Sequence, residues 1–165
     1  MIALTKVLVA TDFSKPSEAA LAYGRELAGT FGAALTVLHV VDNIQTRVYG
    51  TEGFGLAEPN LQAELETSVR AQVDALLSAE DRDVLHATGF VITSNQPAAA
   101  IVTYARDAGT DLIVMGTHGR GAVAHLLMGN VAEHVVRTAP CPVLTVRHPE
   151  HEFVLPDVLV AVAKA

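Results

Sequence analysis

The chain contains 165 residues with a mean hydropathy of +0.35, which is enough for one domain with a full core and excludes a disordered protein. Half of the residues are apolar but only 5% are aromatic and none is Trp, so the core must consist of Ala, Val and Leu. Eighteen acidic residues against 11 Lys and Arg give a net charge of -7, which excludes the basic surface that nucleic acid requires of a principal partner.

Five short aliphatic segments, rich in β-branched residues, predict strands that are buried on both faces, as in a parallel sheet. In chain order they are residues 7–10, 35–41, a weaker segment within 87–93, 112–115 and 143–146. The weaker segment is predicted to be an edge strand.

Apolar residues at spacings of three and four predict four helices between these strands. The first helix begins near residues 14–17, the second covers residues 61–76, and the third covers residues 97–108 and stops at Gly109. The fourth surrounds residues 131–136, and Pro140 ends it. Alternating strands and helices with right-handed crossovers form an open parallel sheet covered by helices on both faces. Such sheets bind ligands at the carboxyl ends of their strands, where the strand order reverses.

A glycine-rich segment follows the fourth predicted strand, and Gly129 stands at the start of the next helix. Glycines permit a close approach of backbone amides, and a helix N-terminus attracts anions. This anion site requires that residues 120–128 fold back and bring Gly129 beside Gly116. The sequence has no Walker A loop, no GxGxxG after the first strand and no GxSxG elbow.

Taken together, these segments resemble the universal stress protein family. The resemblance covers residues 1–147 and is carried by residues 7–12, 39–42, 111–116 and 141–144, and by the pattern Gly-x2-Gly-x9-Gly at 116, 119 and 129. It implies a Rossmann-like sheet of five parallel strands in the order 3-2-1-4-5. It also implies a homodimer formed largely through the last strand, residues 141–147.

The resemblance is to the branch of the family that binds ATP, with or without Mg²⁺, and it implies the contacts of each part of the nucleotide. Thr11 and Asp12 would lie on the ribose side, and Val40 or Val41 would lie at the adenine. Gly116, His118, Gly119, Gly129 and Asn130 would line the phosphates, and Met115 and Val131 are further predicted contacts of the nucleotide.

Asn130 departs from the family pattern, in which Ser or Thr donates a hydroxyl to a phosphate oxygen. The Nδ2 group of Asn130 could donate instead. The plainer interpretation is that Asn130 caps the last helix, with Glu133 three residues further on. A similar choice exists for His118, which either contacts a phosphate or is a solvated loop residue.

No pair of residues indicates an efficient catalyst, so the chain is predicted not to be an enzyme, with slow ATP hydrolysis at most. No metal site is expected, because His148 and His151 lack a third ligand. Cys141, the only cysteine, excludes an intrachain disulfide and is interpreted as a small buried apolar residue.

The resulting prediction is a cytoplasmic, homodimeric regulatory module of the stress response that binds ATP. Its rival is a nucleotide-free dimerisation or partner-binding module, favoured by Asn130 and by the acidic helix over residues 61–77. Neither a signal peptide nor a membrane span is predicted, since the longest apolar tract, residues 158–163, is too short. Residues 148–165 form an apolar extension that is expected to pack on its own domain or on the partner subunit.

Overall fold

Strands and helices alternate along the described part of the chain, except where two helices follow one another between the second and third strands. The computed structural model describes residues 1–44, 60–117 and 129–147. Its elements are β1 (Lys6–Ala10), α1 (Lys15–Phe31), β2 (Ala34–Val41), α2 (Leu61–Leu76), α3 (Ala79–Val84), β3 (Thr88–Thr93), α4 (Pro97–Ala108), β4 (Leu112–Gly116), α5 (Asn130–Thr138) and β5 (Val143–Val146). Each of the five predicted strands and four predicted helices is present within one or two residues of its expected ends.

The five strands form one parallel sheet in the order β3-β2-β1-β4-β5. This order confirms the predicted fold class and places the weakest strand signal, β3, at an edge. The strand order reverses between β1 and β4, where Ala10 pairs with Leu38 on one side and with Met115 on the other. The carboxyl ends of β1, β2 and β4 therefore meet at one edge of the sheet, and this edge is where a ligand is expected.

Successive residues of the central strands alternate between two apolar clusters, one on each face of the sheet. The first cluster packs the sheet on α1 and α2, and its most buried members include Val7, Val9, Ala20, Leu35, Val37, Val73 and Val114. The second packs the sheet on α4 and α5, and includes Leu8, Leu38, Ile101, Ala105, Ile113, Met115 and Val135. Burial of both faces explains why these strands are continuous aliphatic runs.

The short helix α3 is the element that the hydrophobic pattern did not predict. It spans six residues and begins with a capping box, in which the Ser78 hydroxyl accepts from the Asp81 amide and the Asp81 carboxylate accepts from the Ser78 amide. Asp81 also accepts two hydrogen bonds of 2.9 Å from the Arg25 guanidinium. This pair fastens α3 to α1, which lies far away in the sequence.

Cys141 is half-buried beside the α4 and α5 cluster, and burial raises the pKa of its thiol. This environment fits the expected apolar role. The predicted packing of residues 148–165 lies outside the described residues, and that prediction stays open. Across the three described ranges, no helix combines the length and apolar character needed to cross a bilayer.

Candidate functional site

The start of α5 lies against the end of β4. The amide of Gly129 donates a hydrogen bond of 2.7 Å to the carbonyl oxygen of Thr117, and the Thr117 amide donates to the Val146 carbonyl at 2.9 Å. Thr117 directly follows Gly116, the last residue of β4. Gly129 therefore lies beside the end of the fourth strand, as the predicted anion site requires.

Gly116 also permits a close contact between β4 and α1. A Cβ atom on Gly116 would lie 2.8 Å from the Cβ and 2.9 Å from the carbonyl carbon of Pro16, in the first turn of α1. Any larger residue at position 116 would push these two elements apart. This glycine thus has a packing reason, which the sequence analysis did not identify, in addition to its expected place near phosphates.

Gly129, rather than Asn130, is the N-cap of α5. Gly129 has φ -72° and ψ 154°, and Asn130 is the exposed first residue of the helix. The interpretation of Asn130 as the cap is therefore wrong, because the helix starts one residue earlier than that interpretation requires. Glycine has no side chain with which to cap, so the N-cap residue itself satisfies none of the free amides at this helix start.

The loop that follows β1 holds Asp12 through the first residues of α1. The Ser14 amide donates to Asp12 Oδ1 at 3.1 Å, and the Ser14 hydroxyl donates to the same oxygen. Asp12 is half-buried at the carboxyl edge of the sheet. This arrangement places one carboxylate in a fixed orientation beside the end of β1.

The Thr11 side chain lies inside the loop, and its predicted contact with the ribose side of a ligand stays a prediction. Its side chain is buried, and its hydroxyl forms a hydrogen bond of 3.1 Å with the Ser17 hydroxyl. The same oxygen accepts from the Phe13 amide at 3.1 Å. The buried Thr11 side chain therefore stabilises the loop from its interior, while Asp12 is the more exposed of the two residues. In the sequence, Ser14, Pro16 and Ser17 indicate the start of a helix but do not indicate the hydrogen bond between Ser17 and Thr11.

Val40 and Val41 point to opposite faces of the sheet and direct their backbone groups to opposite sides. Val41 is buried, and its carbonyl accepts from the Ser94 amide beside β3 at 2.9 Å. The pairing of β1 with β2 ends at Leu38, whose carbonyl accepts from the Thr11 amide. Because backbone groups alternate in a parallel ladder, those of Val40 face the space beyond the end of β1. Of the two residues, Val40 is the one placed to meet a base edge with its backbone.

The segment that leaves β2 is fixed by α2 and by the end of β3. Gln62 Oε1 accepts from the Ile44 amide at 2.9 Å, and the Glu66 carboxylate accepts from Thr93 Oγ1 at 2.6 Å. The hydrogen bond from Thr93, together with one from Gln62, lowers the pKa of Glu66 below its ordinary value. These contacts give a defined wall beside the end of β2.

The remaining predicted site residues differ in how much of their side chains is exposed at the site. The Met115 side chain is 5% exposed and belongs to the core, and Val131 is half-buried against the same cluster. Both can therefore contribute backbone groups to the site but little side-chain surface. His118 and Gly119 lie outside the described residues. Within the described ranges, no three His, Cys, Asp or Glu side chains form a group suited to a metal ion.

A separate groove of about 770 Å³ lies between the end of β3 and α4. Its lining includes Ser94, Gln96, Thr103 and Tyr104. β2 and β1 separate this groove from Gly116 and the start of α5. The groove is therefore distinct from the place where the strand order reverses.

Comparison with known proteins gives matches over nearly the full chain. The model of the universal stress protein family matches residues 3–147. A universal stress protein of Thermus aquaticus, encoded in the 3′ region of QAH/OAS sulfhydrylase, is 37% identical over 143 residues, which are 86% of this chain and 97% of that relative.

Solved structures show the same architecture. The structure of MJ0577 from Methanocaldococcus jannaschii has a TM-score of 0.73 and 25% identity, covering 91% of this chain and all of that one. A universal stress protein in complex with cAMP has a TM-score of 0.61, 21% identity and coverages of 88% and 98%. The protein from Archaeoglobus fulgidus in complex with dAMP has a TM-score of 0.56, 21% identity and coverages of 88% and 99%. At these identities the last two similarities concern the fold.

Proposed function

Because the chain belongs to the universal stress protein family, we propose that it is a regulatory module that binds an adenine nucleotide, ATP above all, where the strand order reverses between β1 and β4. The nucleotide would lie along the carboxyl edge of the sheet. Its phosphates would face the start of α5, and its ribose and base would face Asp12 and Val40.

The hydrogen bond from Gly129 to Thr117 is the observation that carries this proposal. It places the first turn of α5 beside the end of β4, so both ends of the glycine motif adjoin one space. The first amides of a helix have no partner within the helix, and its dipole favours negative charge. Because the N-cap residue Gly129 has no side chain to occupy these amides, a phosphate would satisfy them.

The ribose and base ends of the proposed site rest on Asp12 and Val40. The half-buried Asp12 carboxylate is oriented by Ser14 and can accept hydrogen bonds from ribose hydroxyls. The backbone of Val40 faces the same space from the adjacent strand. Two proteins of the same fold bind cAMP and dAMP, which fits an adenine nucleotide here.

We propose binding and regulation rather than catalysis, with slow ATP hydrolysis at most. The proposed phosphate site consists of the first amides of α5 and of glycines, which would bind an anion without activating a water molecule. Asp12, the acidic residue of the site, is tied to Ser14 and is assigned to the ribose end. It is therefore badly placed to serve as a general base for attack at a terminal phosphate.

Isothermal titration of the full chain with ATP, with and without Mg²⁺, tests the nucleotide site. We expect saturable binding that weakens in Asp12→Asn, with GTP as the control for recognition of the base. Parallel measurement of phosphate release should show no more than trace turnover. Absence of binding at millimolar ATP would overturn the proposal and favour a nucleotide-free dimerisation or partner-binding module.

We further propose a cytoplasmic homodimer that forms through β5, since this strand is the edge of the sheet next to the site. The Val146 carbonyl faces β4, so the backbone groups of Thr145 face away from the sheet. Thr145→Pro would remove an outward donor and leave the pairing with β4 intact. Val91→Pro makes the matched change on the opposite edge, in β3.

Sedimentation should give a dimer for the wild type and for Val91→Pro, and a monomer for Thr145→Pro. A dimer in all three proteins would exclude β5 as the interface. A monomeric wild type would exclude the homodimer altogether.

A further inference from the structure

The loop after β1 contains a residue in an unfavourable backbone conformation. Phe13 has φ 63°, and Phe13 and His86 are the two non-glycine residues with positive φ in the described part of the chain. For a bulky residue this conformation costs on the order of 1–2 kcal/mol. Phe13 directly follows Asp12, so whatever holds Phe13 in this conformation also fixes the direction of the Asp12 carboxylate.

One set of contacts that hold this loop comes from His39, near the carboxyl end of β2. The rings of His39 and Phe13 have centroids 4.6 Å apart with an angle of 32° between their planes. His39 Nδ1 lies 2.8 Å from the carbonyl oxygen of Thr11. Since a carbonyl oxygen only accepts, Nδ1 carries the proton and donates it. His39 thus contacts the residues on both sides of Asp12.

A second set of hydrogen bonds fixes the loop from the side of α1. The Phe13 amide donates to Thr11 Oγ1, and Ser14 donates to Asp12. His39 complements these bonds from the neighbouring strand, and it immediately precedes Val40. One side chain therefore links the strand proposed to meet the base with the carboxylate proposed to meet the ribose.

We propose that His39 is a positioning residue for nucleotide binding, which sets the Asp12 carboxylate for the ribose hydroxyls without touching the ligand. This inference rests on the proposed function. It assigns ribose recognition to a unit of three side chains, His39, Phe13 and Asp12, which the sequence pattern alone did not separate from the core of β2.

Binding of ATP and of its 2′-deoxy and 3′-deoxy analogues, measured by titration calorimetry, tests this assignment. The wild type should prefer ATP to at least one analogue by about tenfold, as expected for loss of one hydrogen bond to a charged group. Asp12→Asn and His39→Ala should each abolish this preference. When Asp12→Asn is already present, adding His39→Ala should not change the ratio of the affinities for ATP and the analogue any further.

His39→Asn provides the conservative rescue, because its amide nitrogen can replace Nδ1 as donor to Thr11 while the ring is lost. It should recover most of the preference for ATP. His39→Gln, whose amide reaches the position of Nε2 instead, should not. Circular dichroism and thermal unfolding of each variant establish that the compared proteins are folded.

The outcomes separate the two proposals. A wild type that binds no nucleotide overturns the proposed function, and this inference falls with it. If the wild type discriminates ATP from an analogue and His39→Ala keeps the same ratio of affinities, the role of His39 alone is overturned. The same conclusion follows if a folded His39→Asn recovers no more of the preference for ATP than His39→Gln. A wild type that binds ATP and both analogues equally overturns the assignment of Asp12 to the ribose, and that of His39 with it.

Discussion

The amide of Gly129 donates to the carbonyl oxygen of Thr117 at 2.7 Å, and this bond brings two helix starts to one place. The end of β4 lies against Pro16 in the first turn of α1 and beside the first turn of α5. The two helix starts differ in their caps. Ser14 accepts from the Ser17 amide at the start of α1, whereas Gly129 leaves the start of α5 without a side-chain cap. This asymmetry supports the proposal that the phosphates lie at α5 rather than at α1.

Gly129→Ala is expected to weaken nucleotide binding without weakening the fold. The φ and ψ of Gly129 are values that any residue adopts, so alanine brings no backbone strain. Its methyl group would instead occupy the space beside the amides of α5. We expect an affinity for ATP about tenfold lower, measured by calorimetry. The unfolding temperature should stay close to that of the wild type, because the reduced backbone freedom of the unfolded chain and the poorer capping by alanine oppose each other. A large loss of stability would show that Gly129 is needed for packing.

Gly116→Ala is the matched change, with the opposite expectation. The added Cβ would lie within 3 Å of two atoms of Pro16, one of them in the backbone. Such overpacking costs about 1–3 kcal/mol, which corresponds to a fall of about 2–10 °C in Tm. Thermal unfolding without ligand measures it. An unchanged Tm would mean that α1 shifts freely away from β4.

The sequence predicted the elements whose signal lies within the element itself. The five strands stand out because both faces of a parallel sheet are buried, and residues 143–146 match β5 exactly. The helix α3 has fewer than two turns and shows no period. It depends on Ser78 and on Arg25, which lies 56 residues from Asp81. A contact between elements so distant in the chain leaves no local pattern to read.

In the candidate site, too, local patterns could be predicted from the sequence, whereas contacts between distant elements could not. The glycines were predicted from their residue type and spacing, and the place of Asp12 on the ribose side was implied by the family resemblance. The contact of Gly116 with Pro16, and the contacts of His39 with Thr11 and Phe13, depend on the pairing of strands and could not be predicted. The cap of α5 was misplaced by one residue, because Gly and Asn are both acceptable caps and helix ends are the least certain part of a pattern.

Asn130→Ala is expected to affect ligand binding more than stability. Asn130 is exposed, and Gly129 occupies the cap position, so the truncation should change the free energy of unfolding by less than about 0.5 kcal/mol. Loss of a donor to a phosphate should weaken ATP binding about fivefold, and Asn130→Ser should restore it. Urea unfolding and calorimetry measure the two effects. A destabilised alanine variant with unchanged affinity would assign Asn130 to the helix instead.

Asp81→Asn is expected to destabilise the protein in a manner that depends on pH. The Asp81 residue is 6% exposed, and it accepts two hydrogen bonds from Arg25 and one from the Ser78 amide. Burial opposes ionisation of the carboxyl, but the hydrogen bonds from Arg25 and Ser78 outweigh it and lower the pKa of Asp81 below 3.8. Breaking this ion pair should cost less than breaking a fully buried one, because Arg25 is one-third exposed. We therefore expect the free energy of unfolding of the variant to fall by about 1–3 kcal/mol at neutral pH.

The sign of the pH dependence follows from this lowered pKa. A carboxyl whose pKa is lower in the folded state stabilises the protein fully above its unfolded value of 3.8, and loses this effect as the pH falls through the folded value. Urea unfolding from about pH 7 to about pH 3 should therefore show the difference between wild type and Asp81→Asn shrinking below pH 4. Asp74→Asn is the control, because its ion pair with Arg82 is exposed at 3.5 Å and should contribute less than about 0.5 kcal/mol. A difference that stays constant down to the lowest pH would mean that Asp81 acts through its shape and neutral hydrogen bonds rather than through its charge.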